Sequence, residues 1–356
     1  MQRKAVVLAL ASLVSGVAVA QSNVTIYGIV DAAYVYSKGK TAAGGAINFS
    51  GIQSGGWSSS RLGFKGEESL GNGLKSVFLL EFGTSVDSNS GLSLNRQSYL
   101  GLAGSFGTVT LGRQYAPSFS MMGRNGANDV TGVFPMNAFS PSFETLNKAE
   151  TSRWNNSIAY SSNNYSGFQA RVVYGFGEKT AVGTSTTDDG KLGIGLSYKN
   201  GPFNIDGIYQ EIFDRDGKND IAAYYIGAGY DFKAVKIVAS YQQEKNELGI
   251  STTPSSTNYG EAYKTKLWSV GTIIPVSSAG KVRAEYARIS YDWGGDAEST
   301  GWGLGYTHSL SKRTDLYAQV SRISNGDDSR ALGWISSTRT VGQASNNFML
   351  GMRHTF

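Results

Sequence analysis

Few side chains in this 356-residue sequence are suited to covalent chemistry. There is no cysteine, which removes thiolate nucleophiles, disulfides and Cys-ligated metals. His308 and His354 are the only imidazoles. His308 lies close to Leu310 and a short turn, and His354 sits near the C-terminus on the oily parity of an alternating run. Neither supplies a catalytic constellation, and nothing resembles a nucleophile elbow. Gly301-Trp302-Gly303-Leu304-Gly305 resembles a glycine-rich nucleotide turn, but no strand-turn-helix surrounds it and its glycines share one strand parity. Asp214-Arg215-Asp216-Gly217 with Asp220 resembles a calcium loop, yet lacks a third carboxylate before the glycine and the closing Glu. No enzyme activity and no cofactor are expected.

The elements that carry these residues are strands. In Asn347 to Phe356 one parity reads Phe348, Leu350, Met352, His354, Phe356, and the other Met349, Gly351, Arg353, Thr355. Successive strand side chains point to opposite faces, so one face is oily and the other mostly polar. The same period recurs in Phe168–Phe176, Lys191–Tyr198, Ala222–Tyr230, Val235–Tyr241, Lys281–Tyr286 and Thr300–Tyr306. The apolar face often ends in an aromatic, as a membrane-interface girdle requires.

The N-terminus predicts export. Arg3 and Lys4 precede an apolar run from Ala5 to Val14, and Ala18-Val19-Ala20 offers a small-residue cleavage site. Residues 1–20 are therefore expected to be removed, with 21–356 forming the mature chain. The composition holds 46 Gly, 20 Tyr and 16 Phe but 6 Pro, and mean hydropathy is −0.23. Past the signal there is no apolar stretch long enough for a membrane helix. An exported chain with these features fits an all-β fold, a transmembrane antiparallel β-barrel, because alternation averages the two faces away. The formal net charge of +5 is spread along the chain, which argues against nucleic acid as a partner.

Connections alternate between short and long. Short turns are expected at Gly71-Asn72-Gly73, Asn163–Ser166, Asn200-Gly201-Pro202 and Ser311-Lys312-Arg313. Longer loops are expected at Lys38–Trp57, Glu178–Gly190, Phe213–Asp220, Asn246–Ala262 and Asn325–Ala344. Short turns on one side and long loops on the other suit an outer-membrane barrel of about 16 strands. A barrel of that size encloses an aqueous channel. The segment 115–150 breaks the period and holds Pro117, Pro135 and Pro141 among Met and Phe residues. So apolar a stretch is expected to fold into the lumen and narrow it; an exposed loop or oligomer contact is the alternative. Outer-membrane lipid and lipopolysaccharide are expected neighbours; the Asp214 loop is expected to be a solvated charged loop, a cation that bridges lipopolysaccharide being the alternative.

Several motifs together resemble the general diffusion porins of Gram-negative β-proteobacteria. They are Asn23–Gly28, Ser60-Arg61-Leu62-Gly63-Phe64-Lys65-Gly66 through Lys75, Tyr99-Leu100-Gly101-Leu102 through Gln114, Arg153-Trp154-Asn155-Asn156-Ser157-Ile158-Ala159-Tyr160, and Gly351–Phe356. The resemblance spans the mature chain. It implies a 16-stranded barrel, a homotrimer, and a third loop folded inward as a constriction.

The resemblance also implies an eyelet in which wall arginines oppose acids on the third loop. The arginines fall on Arg61, Arg96 and Arg153, and the loop offers Asp129 and Glu144, with Glu150 near its end. The acidic motif does not align cleanly, and Ile29 stands where some relatives carry a basic residue. Parity groups Arg61 with Gly63 and Lys65, and Arg153 with Asn155 and Ser157 opposite Trp154, Ile158 and Tyr160. An arginine facing lipid at mid-membrane would cost roughly 2–4 kcal/mol, so the lumen is the expected direction. Structural salt bridges at the wall are the alternative role. The implied function is passive diffusion of small hydrophilic solutes and ions with a mild anion preference; the alternative is a substrate-selective channel with a solute-binding constriction.

Overall fold

The alternation becomes a wall of antiparallel strands that closes on itself. A computed structural model describes residues 23–41, 43–121, 152–177, 189–213, 219–246, 263–292, 297–327, 329 and 342–356. The strands are β1 (Asn23–Lys40), β2 (Ala46–Ser54), β3 (Arg61–Gly71), β4 (Leu74–Gly83), β5 (Ser93–Gly104) and β6 (Gly107–Tyr115). A short helix α1 (Pro117–Met121) follows, then β7 (Arg153–Ser161), β8 (Phe168–Gly175), β9 (Lys191–Asn200), β10 (Phe203–Phe213) and β11 (Asn219–Asp231). The chain ends with β12 (Lys236–Asn246), β13 (Tyr263–Pro275), β14 (Gly280–Tyr291), β15 (Glu298–Ser309), β16 (Thr314–Asn325) and β17 (Ser345–Thr355). Strands pair antiparallel with their neighbours round the wall, β2 and β3 both pairing with β1, and β17 returns to β1 from Ile29↔Thr355 to Lys38↔Asn346. The last residue completes the seam: Gly28 N donates to Phe356 O at 3.1 Å and Phe356 N to Gly28 O at 3.2 Å.

These strands form a closed 16-stave barrel because β2 and β3 share one stave. β1 pairs with β2 through residues 32–40 and with β3 through residues 23–29 on the same side. Ser54 lies opposite Ala32 and Arg61 opposite Ile29, so residues 55–60 must fit beside Val30 and Asp31 alone. The surplus chain turns inward. The reading of Lys38–Trp57 as one long loop is corrected here. β1 runs on to Lys40 and β2 occupies Ala46–Ser54, where alternation survives with Asn48 and Ser50 on the face that carries Ile52.

The two faces are inverted relative to a protein in water. Outward side chains are large and apolar, as at Val24, Ile26, Leu100, Leu111, Leu196 and Leu350, each more than half exposed. Inward side chains include buried Asp31, Glu81, Arg96, Asp206, Arg283 and Glu285. Such an exterior suits hydrocarbon rather than water. Aromatic pairs flank the apolar band. Phe168 stacks on Tyr198 at 4.2 Å near the short turns, and Trp268 meets Tyr286 at 5.4 Å nearer the other rim. Both histidines lie at the short-turn end, where the half-buried His308 bonds Tyr306 and the exposed His354 bonds Thr314.

Past β6 the chain turns into the barrel. α1 lies against the inner face of β9 and β10, where Ser118 N donates to Gln210 Oε1 at 2.8 Å. Met121 is buried among Ile208, Ala223 and Tyr225. The approach is so close that only glycine fits beneath: a Cβ on Gly195 would lie 2.2 Å from Met121 Sδ, and one on Gly193 would lie 2.8 Å from Pro117. The remainder of the 115–150 segment, the signal 1–20 and most of the expected long loops lie outside the described residues.

This packing can be tested on stability. Gly195→Val should lower the midpoint of heat-induced barrel unfolding, read as loss of the fast-migrating band on gels, since overpacking typically costs about 1–3 kcal/mol. Gly207→Val is the control, because nothing lies within 4 Å of a Cβ there; it should leave the midpoint unchanged.

Candidate functional site

Each of the three expected arginines sits at an irregularity of the wall. Arg61 is the first residue after the β2–β3 break and holds Ser59 O through its Nε at 2.9 Å. Between β4 and β5 the register slips: Glu81 lies opposite Gln97 but Gly83 opposite Ser93. Three β5 residues, 94–96, therefore face Phe82 alone. In a regular strand Arg96 would point away from the face of Gln97; the slip lets it turn inward beside Glu81. Extra residues in one strand redirect side chains in this way.

Arg153 depends on a second slip. Gly112 lies opposite Ser157 and Gln114 opposite Trp154, so Asn155 and Asn156 share one partner, with Asn156 at φ 45°. This corrects the simple parity expected for β7. Trp154 does not join Ile158 and Tyr160 on the outer face; it is buried at 1% exposure with Ala116, Ala159 and Val173. Asn155 is exposed and bonds Arg113. Arg153 and Trp154 both serve the interior because the bulge interrupts the period between them and Ser157.

Two of the guanidiniums, Arg96 and Arg153, are linked through Glu81 and Tyr115, and Tyr27 also bonds Glu81. Arg96 Nε donates to Glu81 Oε1 at 2.7 Å, an ion pair whose side chains are 7% and 4% exposed. Tyr27 OH donates to Glu81 Oε2 at 2.8 Å, and Tyr115 OH to Oε1 at 3.2 Å. The Tyr115 hydroxyl in turn accepts from Arg96 at 2.7 Å and from Arg153 at 3.3 Å. Arg153 lies over the rings of Tyr115 at 4.7 Å and Phe119 at 5.2 Å, and these rings stack on each other at 4.4 Å. Glu81 is thus fully engaged and buried, whereas Arg61 and Arg153 are only half-buried. For Arg96 the alternative reading, a wall salt bridge, describes its contacts.

Asp129, Glu144 and Glu150 lie outside the described residues, as do residues 214–218 of the Asp214 loop. Glu81, Tyr27, Tyr115 and Phe119 were not singled out from the sequence. Glu81 left a trace: it is the one charge in Val77-Phe78-Leu79-Leu80-Glu81-Phe82 and shares parity with Leu79. Tyr115 left none, because its role comes from a contact across three strands. Among the described residues no group of three or more His, Asp or Glu is positioned to hold a metal ion.

A closed barrel with an apolar exterior and charged interior has known counterparts. The sequence model of Gram-negative porins matches residues 5–328. The outer membrane porin protein 32 of Delftia acidovorans is 34% identical, with 96% of each chain covered. The major outer membrane protein P.IB of Neisseria meningitidis serogroup B is 27% identical over the full length of both chains. The solved anion-selective porin from Comamonas acidovorans superposes with a TM-score of 0.73 at 30% identity, covering 94% of this chain and all of that one. The chain therefore belongs to the Gram-negative porins and forms a closed β-barrel channel for passive diffusion in the outer membrane.

Proposed function

We propose that this channel passes small hydrophilic solutes and ions through a charged constriction lined by Arg61, Arg96 and Arg153, with a mild preference for anions. The observation that supports this most is the state of Glu81. Among the described residues it is the carboxylate within the arginine cluster, and it is buried and bonded to Arg96, Tyr27 and Tyr115. The half-buried Arg61 and Arg153 therefore set the sign of the field felt by a passing ion. Fixed charge on one side of a narrow opening aligns water and polar solutes, disfavours apolar ones and concentrates counter-ions. Asp129 and Glu144 are the proposed acids of the third loop. The similar porin from Comamonas acidovorans is itself described as anion-selective.

Homotrimer assembly within outer-membrane lipid and lipopolysaccharide belongs to the same proposal; one solved neighbour, from Vibrio cholerae, is described in a trimer form. A second reading, a channel that selects its solute, draws on the stacked Tyr115 and Phe119 beside Arg153. An aromatic wall next to a cation offers a solute more than fixed charge.

The test is the reversal potential of the purified protein in a planar bilayer under a KCl gradient. Anion preference is expected, and cation preference would overturn the proposal. A charge about 8 Å from a permeating ion contributes roughly 0.2 kcal/mol after screening at 0.1 M salt. Arg61→Gln and Arg153→Gln should therefore each lower the Cl⁻/K⁺ permeability ratio about twofold, and the effect should fade at 1 M salt.

Glu81→Gln should do the opposite. It removes the carboxylate of the cluster, so the ratio should rise about twofold. It should also lower the unfolding midpoint, because Arg96 loses its partner in a buried pair. A variant with unchanged selectivity would show that Glu81 is not felt by the permeating ion.

A further inference from the structure

The break in the second stave delivers a tryptophan to the interior, and the residues around it form a second group of charges distinct from the Arg61–Arg96–Arg153 cluster. Residues 55–60 are fixed by Asp31. Its Oδ2 accepts from the backbone N–H of Trp57 at 3.1 Å and of Ser58 at 2.8 Å, and its Oδ1 accepts from Tyr317 OH at 2.6 Å. Its backbone carbonyl accepts from Gly55 N at 2.8 Å. Gly56 seats the segment on the wall, since a Cβ there would come within 2.2 Å of Tyr317 OH and 2.7 Å of Ala33 Cβ. Trp57 is thereby held on a small apolar patch of Ala33, Val35, Tyr317 and Met349.

The indole remains half-buried. Its edge contact with Tyr317 is at 5.7 Å and 78°. Two guanidiniums from different strands lie over it: Arg353 of β17 at 4.8 Å and Arg283 of β14 at 5.7 Å from the ring centroid. Three acids lie near them: Asp31 is directly opposite Arg353 in the β1–β17 ladder, Asp315 is 3.9 Å from Arg353, and Glu285 is two residues beyond Arg283 on the same strand. Asp31 holds the segment through N–H and O–H donors, and its charge faces Arg353 across the ladder.

We infer that Trp57 and the partly exposed Arg353, backed by the buried Arg283, form a binding subsite for aromatic carboxylates on the inner wall. A guanidinium pairs with a carboxylate through two parallel hydrogen bonds and also stacks on planar groups. A planar aryl carboxylate can satisfy both demands, with its carboxylate toward Arg353 and its ring against the fixed indole. A chloride ion gains only the charge, and a saturated carboxylate gains the charge without the stacking. This inference rests on the reading of the barrel as an open anion-passing channel, and it adds a solute class to it.

The experiment is single-channel recording in KCl with millimolar benzoate, cyclohexanecarboxylate or acetate added. Benzoate should reduce the chloride current with an apparent affinity roughly three- to tenfold above that of cyclohexanecarboxylate. Trp57→Leu should abolish that difference while leaving the Cl⁻/K⁺ permeability ratio within about twofold. Arg353→Gln keeps the ring in place and should weaken block by both acids, so the inference stays testable if Trp57→Leu does not fold. Equal block by the two acids in the native channel, or a benzoate preference that survives Trp57→Leu, would overturn the subsite while the channel stands. A native protein that forms no anion-passing channel would overturn both.

Discussion

In hydrocarbon no water is available to satisfy a backbone N–H or C=O, and each orphaned group costs several kcal/mol. A strand can enter such a medium only if both its edges are paired. The seam between β17 and β1 meets that demand, from Lys38↔Asn346 down to the paired backbones of Gly28 and Phe356. Everything else in the molecule follows from closure. The outer face must be apolar, the inner face is free to be charged, and strict alternation divides the two. A charged side chain on the wrong parity is penalised by lipid, so most of the wall has no freedom in where it points.

That rigidity explains why the interior chemistry gathers where the ladder is irregular. Arg61 follows the β2–β3 break, Arg96 lies in the β4–β5 slip, and Arg153 flanks the β6–β7 slip. A regular strand supplies one inward side chain every second residue. A slip or break supplies consecutive inward residues, as with Arg153 and Trp154, or carries backbone off the wall entirely, as at Trp57. The cost is a few ladder hydrogen bonds, partly replaced by side chains: Asp31 accepts the freed N–H groups of residues 57 and 58.

Much of this wall was legible in the sequence because period-2 alternation has a direct physical cause. The runs at 168–176, 191–198, 222–230, 235–241, 281–286 and 300–306 all coincide with strands to within one residue, and His354 lies on the outer face as its parity requires. Legibility failed where the period fails. β2 went unread because Asn48, Ser50 and Gly51 dilute its alternation into loop-like composition. Trp154 was assigned outward by counting through a bulge that the sequence does not announce. The arginines were located by resemblance to a family rather than by pattern, and Glu81 by neither, since its partners come from β1, β5 and β6.

The two acids at these irregular points share a consequence for charge. Asp31 and Glu81 are 0% and 3% exposed, and every oxygen of each accepts a hydrogen bond from a neighbouring residue. Both act as fasteners: one holds the inward segment that bears Trp57, the other holds Arg96 and Tyr115. A carboxylate committed to that work is held back from the pore while its charge still adds to the field, and the inward acids Asp206, Glu244 and Glu285 are buried too. Arg61, Arg153 and Arg353 retain partial exposure. The same residues that repair the irregular backbone therefore place their carboxylates behind the partly exposed arginines that a passing ion meets first.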